Sequence, residues 1–376
     1  MKKTFLSFAV LLMAAASCVT FTSCDDDNDD NNTPKEVAVS NGAFIIGSGN
    51  KSGQISGNVT SYDYASQTST LNAFAAANSR NLGLTANDAV VYGDKMYIMV
   101  SEENTVEVVN KNTLKSIKQI KLTDKAYLGE TNGVKPRHGV AYDGKVYVTT
   151  YGGYVAAIDT VTYNMGASYA VGSYPEGIAE ANGKLYVANS DYGNGKNPSI
   201  SIIDVKAATV TDYKNSLVKN PVGIITVNGV PYILDSGSYD ASWNQVGAGV
   251  YKLEGNVVTK VIDATMMAAA GNLIYVVNAP YGASTVTYDV YDITTGTKKT
   301  FLTEGVFSPA AIAVDPVNGN VLIASYSKNP DTGKANYKGN GYMNIYNKEG
   351  QLKKENITIG VGPSAIVFNT GVTYAK

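Results

Sequence analysis

The alternation of apolar and polar residues along the chain repeats one short pattern several times. The segment SYPEGIAEANGKLYVANSDYG, residues 173–193, has a small and apolar run, a turn at Asn182-Gly183 and a second, β-rich run. Asn-Gly and Asp-Gly reach positive φ at low cost, so the pattern predicts a β-hairpin. A variable loop and two further β-like runs follow, which makes a four-stranded unit.

Related segments occur six times, and each has a β-rich strand centred on one of these anchor residues: Tyr97, Tyr147, Tyr186, Tyr232, Tyr275 and Leu322. Neighbouring anchors are 39 to 50 residues apart. A four-stranded unit repeated at this period is typical of a β-propeller blade. The sequence therefore predicts an all-β fold made of four-stranded antiparallel blades.

The two chain ends predict a seventh blade. The N-terminal part offers later strands within residues 42–64, and the C-terminal GPSAIVF resembles a first strand with nothing after it. Pairing strand 363–368 with strand 43–47 would close the ring and remove an open sheet edge. Residues 41–376 then form seven blades of about 48 residues. Six or eight blades stay as alternatives, because the turn at Gly271-Asn272 is a weak signal.

Specific residues link these repeats to a known family. PEGIAEANGKLYVANS at 175–190 and SIIDV at 201–205 resemble the repeat of the YVTN-type seven-bladed propellers. PAAIAVDPVNGNVLIAS at 309–325 and the C-terminal GPSAIVF are similar to degenerate copies of it. The resemblance covers nearly all of the chain after its leader. It implies a seven-bladed propeller and specifies function weakly, because propellers host many activities.

The first residues predict an anchor and not a part of the fold. Residues 1–24 have a basic start, a short apolar run and small residues before a cysteine, which is the pattern of a bacterial lipoprotein signal. Cys24 is the preferred lipidation site, with Cys18 as the alternative. Residues 25–40 begin with the acidic run Asp25–Asp30 and predict a flexible tether. The run also resembles the surface-export signal of Bacteroidota lipoproteins. The alternative interpretation is a plain linker with no sorting role.

Composition narrows the chemistry that the domain can perform. Both cysteines lie in the leader, and His138 is the single histidine. A disulfide, a thiol nucleophile and a Cys/His zinc site are therefore excluded from the mature domain. The formal net charge is −2, and no long basic block follows the tether, so nucleic acid is not an expected partner.

Propeller topology predicts where a ligand would bind. The loop into each first strand and the loop between second and third strands emerge on one face, around the central channel. Several of these loops are long and rich in Gly, Asn, Ser and Tyr, a composition suited to binding a sizeable ligand that is partly apolar and partly polar. The predicted ligand-binding residues are Asn87, Arg137, His138, Tyr151, Tyr174, Glu176, Asn189, Asp191, Tyr192, Asp235, Tyr239, Trp243, Asn278, Tyr281 and Tyr326.

For His138 and for a ring of oxygen-bearing side chains, the sequence allows more than one chemical role. His138 could donate to a ligand, act as an acid or base, bind a metal cofactor, or simply open a first strand. A ring of oxygen ligands drawn from neighbouring blades could hold Ca²⁺, as in the calcium-dependent sugar lactonases, or could only cap strands. That ring comprises Glu176, Asn189, Asp235 and Asn278. A ligand-free rim of long surface loops is the simplest alternative.

Three functions follow from this pattern. The first is a non-enzymatic surface lipoprotein, lipid-anchored in the outer membrane and facing the cell exterior. Its architecture is similar to that of the cobalamin-binding surface propellers of gut Bacteroidota, which implies a corrinoid as ligand and a TonB-dependent outer-membrane transporter as partner. The second is a metal-dependent, lactonase-like hydrolase or a quinoprotein-like dehydrogenase. The third is a surface-layer scaffold that binds glycan or protein. No cofactor is required by the first function.

Overall fold

The computed structural model describes residues 35–123 and 134–375, which form seven four-stranded antiparallel sheets and one two-stranded hairpin. This confirms the predicted seven-bladed β-propeller. The leader and its cysteines, Cys18 and Cys24, lie outside the described residues. In the described part of the chain, no helix is long and apolar enough to cross a membrane.

Blade 1 combines both ends of the chain, and the next three blades follow in order. From the innermost strand outward, blade 1 contains β30 (Pro363–Ala375), β1 (Lys35–Gly47), β2 (Asn58–Asp63) and β3 (Thr68–Thr70). Blade 2 contains β4 (Ala86–Tyr92), β5 (Lys95–Val100), β6 (Thr105–Asn110) and β7 (Ser116–Lys121). Blade 3 contains β8 (Pro136–Tyr142), β9 (Lys145–Thr150), β10 (Tyr154–Asp159) and β11 (Met165–Ala170). Blade 4 contains β12 (Pro175–Ala181), β13 (Lys184–Asn189), β14 (Ser199–Asp204) and β15 (Thr209–Tyr213).

The remaining blades have the same order of strands. Blade 5 contains β16 (Pro221–Val227), β17 (Val230–Asp235), β20 (Gly249–Glu254) and β21 (Val257–Ile262), with the hairpin β18 (Ser238–Tyr239) and β19 (Gln245–Val246) between its second and third strands. Blade 6 contains β22 (Met266–Ala270), β23 (Leu273–Asn278), β24 (Thr287–Asp292) and β25 (Thr297–Leu302). Blade 7 contains β26 (Pro309–Val314), β27 (Val321–Ser325), β28 (Asn340–Tyr346) and β29 (Leu352–Val361). One short helix, α1 (Ala73–Asn78), and a 3-10 turn (Asp191–Gly193) complete the described elements.

The ring closes where the two chain ends pair. Ala43 lies opposite Phe368, and Ile45 lies opposite Ile366, in an antiparallel ladder. The predicted pairing of strand 363–368 with strand 43–47 is therefore confirmed. The innermost strands of successive blades contact one another around the whole ring, including β30 with β4 and with β26.

The ordered propeller starts earlier than the sequence predicted. Residues 25–40 were expected to be a flexible tether, but β1 begins at Lys35, and Lys35–Ser40 pairs with Thr370–Ala375. A β-bulge between Ser40 and Ala43 separates this extension from the ladder inside the blade. Lys35–Ser40 directly follows a long polar run, and its partner strand is the distant C-terminus, so the local sequence did not indicate a strand there.

Tight turns form at the predicted hairpins. Asp143-Gly144, Asn182-Gly183 and Asn228-Gly229 all have positive φ at both residues, as a two-residue hairpin of type I′ requires. The weaker turn at Gly271, with φ of 58°, joins β22 to β23. The repeat anchored on Tyr275 is therefore a complete blade, and the alternatives of six or eight blades are excluded.

Apolar layers between neighbouring blades form the core. The anchor tyrosines Tyr97, Tyr147 and Tyr275 are among the largest fully buried side chains. One cluster, for example, packs Tyr97 and Val108 of blade 2 against Val146 and Ile158 of blade 3. Buried residues of the connections, such as Leu122, Val134 and Val218, extend these layers at the ends of the ring.

We call the face that carries the loops into the first strands and the loops between second and third strands the rim face. Every first strand starts at this face and runs away from it, and every second strand returns to it. The chain enters β1 from the opposite face, since β1 is a second strand. The rim face and the N-terminal residues of the described chain are thus at opposite ends of the ring.

Close contact near the axis requires glycine on the innermost strands. A Cβ atom on Gly177 would lie 2.6 Å from the Cα of Gly223 in the next blade and 2.8 Å from the nitrogen of Ile224. Gly177 and Gly223 occupy equivalent positions in their repeats. The repeated glycine therefore permits the blades to approach closely at the channel.

We expect Gly177→Ala to lower the free energy of unfolding by about 1–3 kcal/mol, because the added methyl group overpacks a backbone contact. The matched control is Gly166→Ala on the outer strand β11, where the nearest atom to an added Cβ is 3.9 Å away. Denaturant unfolding measures both changes. Equal losses in the two variants would contradict this account of the axis.

Candidate functional site

All of the sequence-predicted ligand-binding residues lie at the rim face or directly beneath it. They occupy the starts of first strands, the ends of second strands, the loops into first strands, or the loops between second and third strands. The structure separates them into a polar network, three aromatic clusters and a set of buried supporting residues.

Arg137 is the centre of the polar network. Its Nε donates to Glu176 Oε2 at 2.8 Å, and its Nη1 donates to Asn87 Oδ1 at 2.7 Å. The guanidinium carbon also lies 4.6 Å from the centroid of the Tyr151 ring. These contacts join the innermost strands of blades 2, 3 and 4, so one cation positions side chains from three blades.

Glu176 connects the network to Tyr151 and to His138. The Tyr151 hydroxyl donates to Glu176 Oε1, and His138 Nε2 lies 3.9 Å from Glu176 Oε2. Burial, and then the neighbouring Glu176 charge, raise the pKa of Tyr151 above its ordinary value. Tyr151 therefore remains a hydrogen-bond donor at neutral pH.

Asp88 is a member of the network that sequence reasoning missed. Its Oδ2 lies 3.2 Å from His138 Nδ1 and accepts from the backbone N–H of Gly139 at 3.2 Å. Asp88 stands next to Asn87 in β4, and its partner His138 is fifty positions along the chain. The only available signal was that both residues fall near the starts of neighbouring first strands.

The first aromatic cluster contains Tyr151, Tyr174 and Tyr192. Its ring centroids are 5.3 Å apart for Tyr151 and Tyr174, 5.1 Å for Tyr174 and Tyr192, and 6.4 Å for Tyr151 and Tyr192. Tyr174 and Tyr192 have positive φ values of 50° and 54°. That conformation is uncommon for a bulky residue and often marks functional sites. Here it presents two exposed rings to solvent.

The second cluster lies across blades 5 and 6 and contains Tyr239, Trp243 and Tyr281. Tyr239 is 6.4 Å from Trp243 and 6.3 Å from Tyr281, measured between ring centroids. Trp243, the only tryptophan in the chain, is 73% exposed. Its backbone φ is also positive, at 63°.

Hydrogen bonds fix the hairpin that carries Trp243. Asp240 Oδ1 accepts from the backbone N–H groups of Ser242 and Asn244 at 2.8 and 2.9 Å. Gln245 joins this hairpin to blade 6, because its backbone N–H donates to the Tyr281 carbonyl and its Oε1 accepts from the Tyr281 N–H. The exposed rings are therefore held in place without a ligand.

A third cluster belongs to blade 7. The rings of Tyr326 and Tyr337 are 4.8 Å apart, and Lys328 Nζ lies 5.9 Å from the centroid of the exposed Phe307 ring. Tyr337 and Phe307 were not among the predicted site residues. Five of the predicted ligand-binding aromatics thus share the rim face but belong to three separate clusters; they are Tyr151, Tyr192, Trp243, Tyr281 and Tyr326.

Three predicted ligand-binding residues instead support the loops. Asn189 and Asp235 are 0% exposed, and Asp191 is 7% exposed. Asn189 Nδ2 donates to the hydroxyls of Ser199 and Ser201 at 3.0 and 2.8 Å. These side chains point into the protein and hydrogen-bond to buried polar groups there, which supports the loops. Their contact with a ligand stays a prediction.

The two aspartates show the same supporting geometry. Asp191 Oδ2 accepts from two consecutive backbone N–H groups, Lys196 and Asn197, each at 3.0 Å. Asp235 accepts from three backbone N–H groups, including that of Lys219 at 2.8 Å. Burial raises the pKa of Asp235, while these donors oppose the increase. Backbone hydrogen bonding lowers the pKa of Asp191.

The suggested ring of calcium ligands has a different arrangement. Glu176 is paired with Arg137, Asp235 is bonded to backbone N–H groups, and Asn278 ends β23. In residues 35–123 and 134–375, no group of three or more His, Cys, Asp and Glu side chains is placed to hold a metal ion.

Two clefts open on the rim face. The larger, of about 760 Å³, lies between blades 1 and 2 and is bordered by residues 48–54, Thr85 and Glu102. Glu102 pairs there with Lys51 at 2.8 Å and with Lys135 at 3.2 Å, so its charge is balanced. The smaller, of about 300 Å³, lies between blades 4 and 5.

Comparisons with known proteins support the fold alone. No protein-family model and no curated protein matches the sequence. Among solved structures, hydrazine synthase of Kuenenia stuttgartiensis aligns with a TM-score of 0.53 and 15% identity over 77% of this chain and 95% of that chain. The WD40 repeats of RRP9 align with a TM-score of 0.51 and 8% identity over 74% and 82%. U3-55K aligns with a TM-score of 0.51 and 9% identity over 74% and 84%.

The Arg137–Glu176 contact should be energetically coupled. In a double-mutant cycle with Arg137→Ala and Glu176→Ala, we expect about 0.5–3 kcal/mol of interaction free energy, because both side chains are largely buried and hydrogen-bonded. The exposed pair Lys252–Glu254 serves as the control, with about 0–1 kcal/mol expected for a surface pair. Denaturant unfolding gives both values, and equal coupling would refute a central role for Arg137.

Proposed function

We propose that the protein is a non-enzymatic binding protein that captures a sizeable small molecule on its rim face, and that a corrinoid such as cobalamin is the ligand. One observation carries this proposal. Among the side chains whose exposure the structure describes, the seven exposed aromatic ones lie on the rim face; they are Tyr174, Tyr192, Tyr239, Trp243, Tyr281, Phe307 and Tyr337.

The concentration of aromatic rings on one face favours ligand binding over a general surface property. Exposed apolar area is unfavourable in water by roughly 25 cal/mol per Å². The exposed large apolar residues at the opposite face, such as Val161 and Val317, are aliphatic. Rigid aromatic rings provide contact area at a small loss of conformational entropy when a ligand binds.

The chemistry of the face suits a large ligand with flat apolar regions and polar arms. One aromatic cluster spans blades 3 and 4, a second spans blades 5 and 6, and a third belongs to blade 7. A ligand that contacts more than one cluster must therefore be broad. A corrinoid combines a flat macrocycle with amide arms. Amide and carboxylate groups near the clusters, such as Asn87 and Glu176, offer matching hydrogen-bond partners.

The polar network favours binding over catalysis. Arg137, Glu176 and Tyr151 satisfy one another's hydrogen bonds and charges. A catalytic acid or base needs a free path to a substrate and a pKa near the working pH. The network is better suited to positioning the aromatic cluster beside it.

The position of the N-terminus supports a surface-anchored arrangement. The chain enters β1 from the face opposite the rim face, so a lipid on Cys24 would hold the membrane on that side. The rim face would then point away from the anchor. An anchor of this kind would let the protein deliver its ligand to a TonB-dependent transporter in the same outer membrane.

A neutral glycan is the second candidate ligand. The loop that carries Tyr239 and Trp243, SGSYDASWNQV at residues 236–246, has a single charged side chain, Asp240. Exposed aromatic rings with uncharged polar neighbours also suit the CH-rich faces and hydroxyl groups of sugar rings.

We expect the protein to retain cyanocobalamin through gel filtration, with the corrin absorbance in the protein peak. Tyr192→Ala and Trp243→Ala should each weaken binding about tenfold or more, as expected for aromatic contacts at the centre of an interface. Tyr163→Ala, on the opposite face, is the control and should leave the affinity unchanged. Equilibrium dialysis provides the affinities.

Two results would overturn the corrinoid assignment. One is free passage of cyanocobalamin through the column at micromolar protein. The other is equal binding by the rim variants and the Tyr163→Ala control. Retention of the protein on a neutral polysaccharide column, lost in Trp243→Ala, would favour the glycan in its place.

A further inference from the structure

The smaller cleft of the rim face has an unusual set of charges. It lies between the loop after β13 and the connection from β15 to β16, and three lysines line it: Lys196, Lys214 and Lys219. Its other lining residues are neutral, and no Asp or Glu side chain lines it. The chain as a whole has a formal net charge of −2, so this cleft has the opposite sign to the protein.

The three ammonium groups form no close ion pair among the described residues. None of the ion pairs within 35–123 and 134–375 includes Lys196, Lys214 or Lys219. By contrast, the larger cleft has Glu102 between Lys51 and Lys135. The lysines of the smaller cleft are thus not paired directly with a carboxylate, although Asp191 and Asp235 behind its walls act on Lys196 and Lys219.

Two buried carboxylates hold the walls of this cleft. Asp191 binds the backbone of Lys196 and Asn197 in one wall, and Asp235 binds the backbone of Lys219 and Asn220 in the other. These carboxylates lie behind the walls and balance part of the lysine charge, which leaves three cations against two anions. The backbone at Lys196 and Lys219 is therefore fixed before a ligand arrives, and this reduces the entropy lost on binding.

The cleft opens on the same face as the aromatic clusters. Lys196 and the exposed Tyr192 belong to the same loop, and Tyr239 and Trp243 belong to the corresponding loop of the next blade. A bound molecule could pair its charge in the cleft and stack its apolar part on the neighbouring rings.

We propose that this cleft binds an anionic oxygen group, such as a phosphate, sulfate or carboxylate, carried by the small molecule that the rim face captures. The identity of that molecule rests on the function proposed above, whereas the affinity of the cleft for simple anions does not. Lysine is a compact cation that pairs with such groups without demanding one fixed geometry. Charge-assisted hydrogen bonds of this kind are about twice as strong as neutral ones.

Isothermal titration calorimetry at low ionic strength, with inorganic phosphate and with phenyl phosphate, tests the proposal on the full-length protein. We expect phosphate to bind, and phenyl phosphate to bind more tightly because its ring can contact Tyr192. The triple variant Lys196→Gln, Lys214→Gln and Lys219→Gln should weaken both by about tenfold or more, since each tenfold change is about 1.4 kcal/mol. Added salt should weaken binding to the unaltered protein.

The matched control makes the same change in charge elsewhere. Lys118→Gln, Lys206→Gln and Lys353→Gln alter three exposed lysines away from the rim face. This control should bind phosphate as the unaltered protein does. Equal weakening in both triple variants, or no phosphate binding at tens of millimolar, would overturn the proposal.

Cyanocobalamin separates this inference from the proposed function. Unchanged cyanocobalamin affinity in the cleft variant would refute a role for the cleft in ligand capture and leave the proposed function intact. Phosphate binding that depends on the three lysines, with no cyanocobalamin binding, would support the anion site and refute the corrinoid.

Discussion

Pairing between the two ends of the chain is the contact on which the whole arrangement depends. Strand β30 supplies the innermost position of blade 1, and β1 lies beside it from Lys35 to Gly47. Without this pairing, the array of sheets would end in two open edges, and each edge would expose unpaired backbone groups. Closure also fixes the direction of every strand relative to the axis. For that reason loops from distant parts of the sequence meet on one face.

The closed ring divides the aromatic residues into two populations. Anchor tyrosines such as Tyr97 and Tyr147 fill the apolar layers between blades, whereas Tyr192 and Trp243 are exposed on the rim face. The buried set stabilises the ring, and the exposed set contributes little to it. Short hydrogen-bonded turns and hairpins hold the exposed rings in position. The fold can therefore present an apolar surface to a ligand without weakening its own core.

The blades could be predicted from the sequence, and much of the site could not. Repeated anchors and Asn-Gly turns are local signals, and the lone C-terminal strand had one place to pair. Polar residues at the ends of second strands carry no such information: Asn189 and Asp235 look like ligand contacts in the sequence, but both are buried supports. Asp88 and the lysines of the smaller cleft meet their neighbours only where successive blades and their connections pack together. The early start of β1 could not be predicted either, because its partner strand is at the other end of the chain.

Hydrogen exchange of the C-terminal strand, followed by mass spectrometry, tests ring closure most directly. Strand β30 has a partner strand on one side only, so alternate amides of residues 364–368 donate to β1. If β1 and β30 pair as described, those amides exchange only when the whole propeller unfolds, as slowly as those of central strands such as β9 and β13. Rapid exchange of all the amides of residues 364–368, while β9 and β13 remain protected, would show that the ring is open and that its loops do not form one rim face.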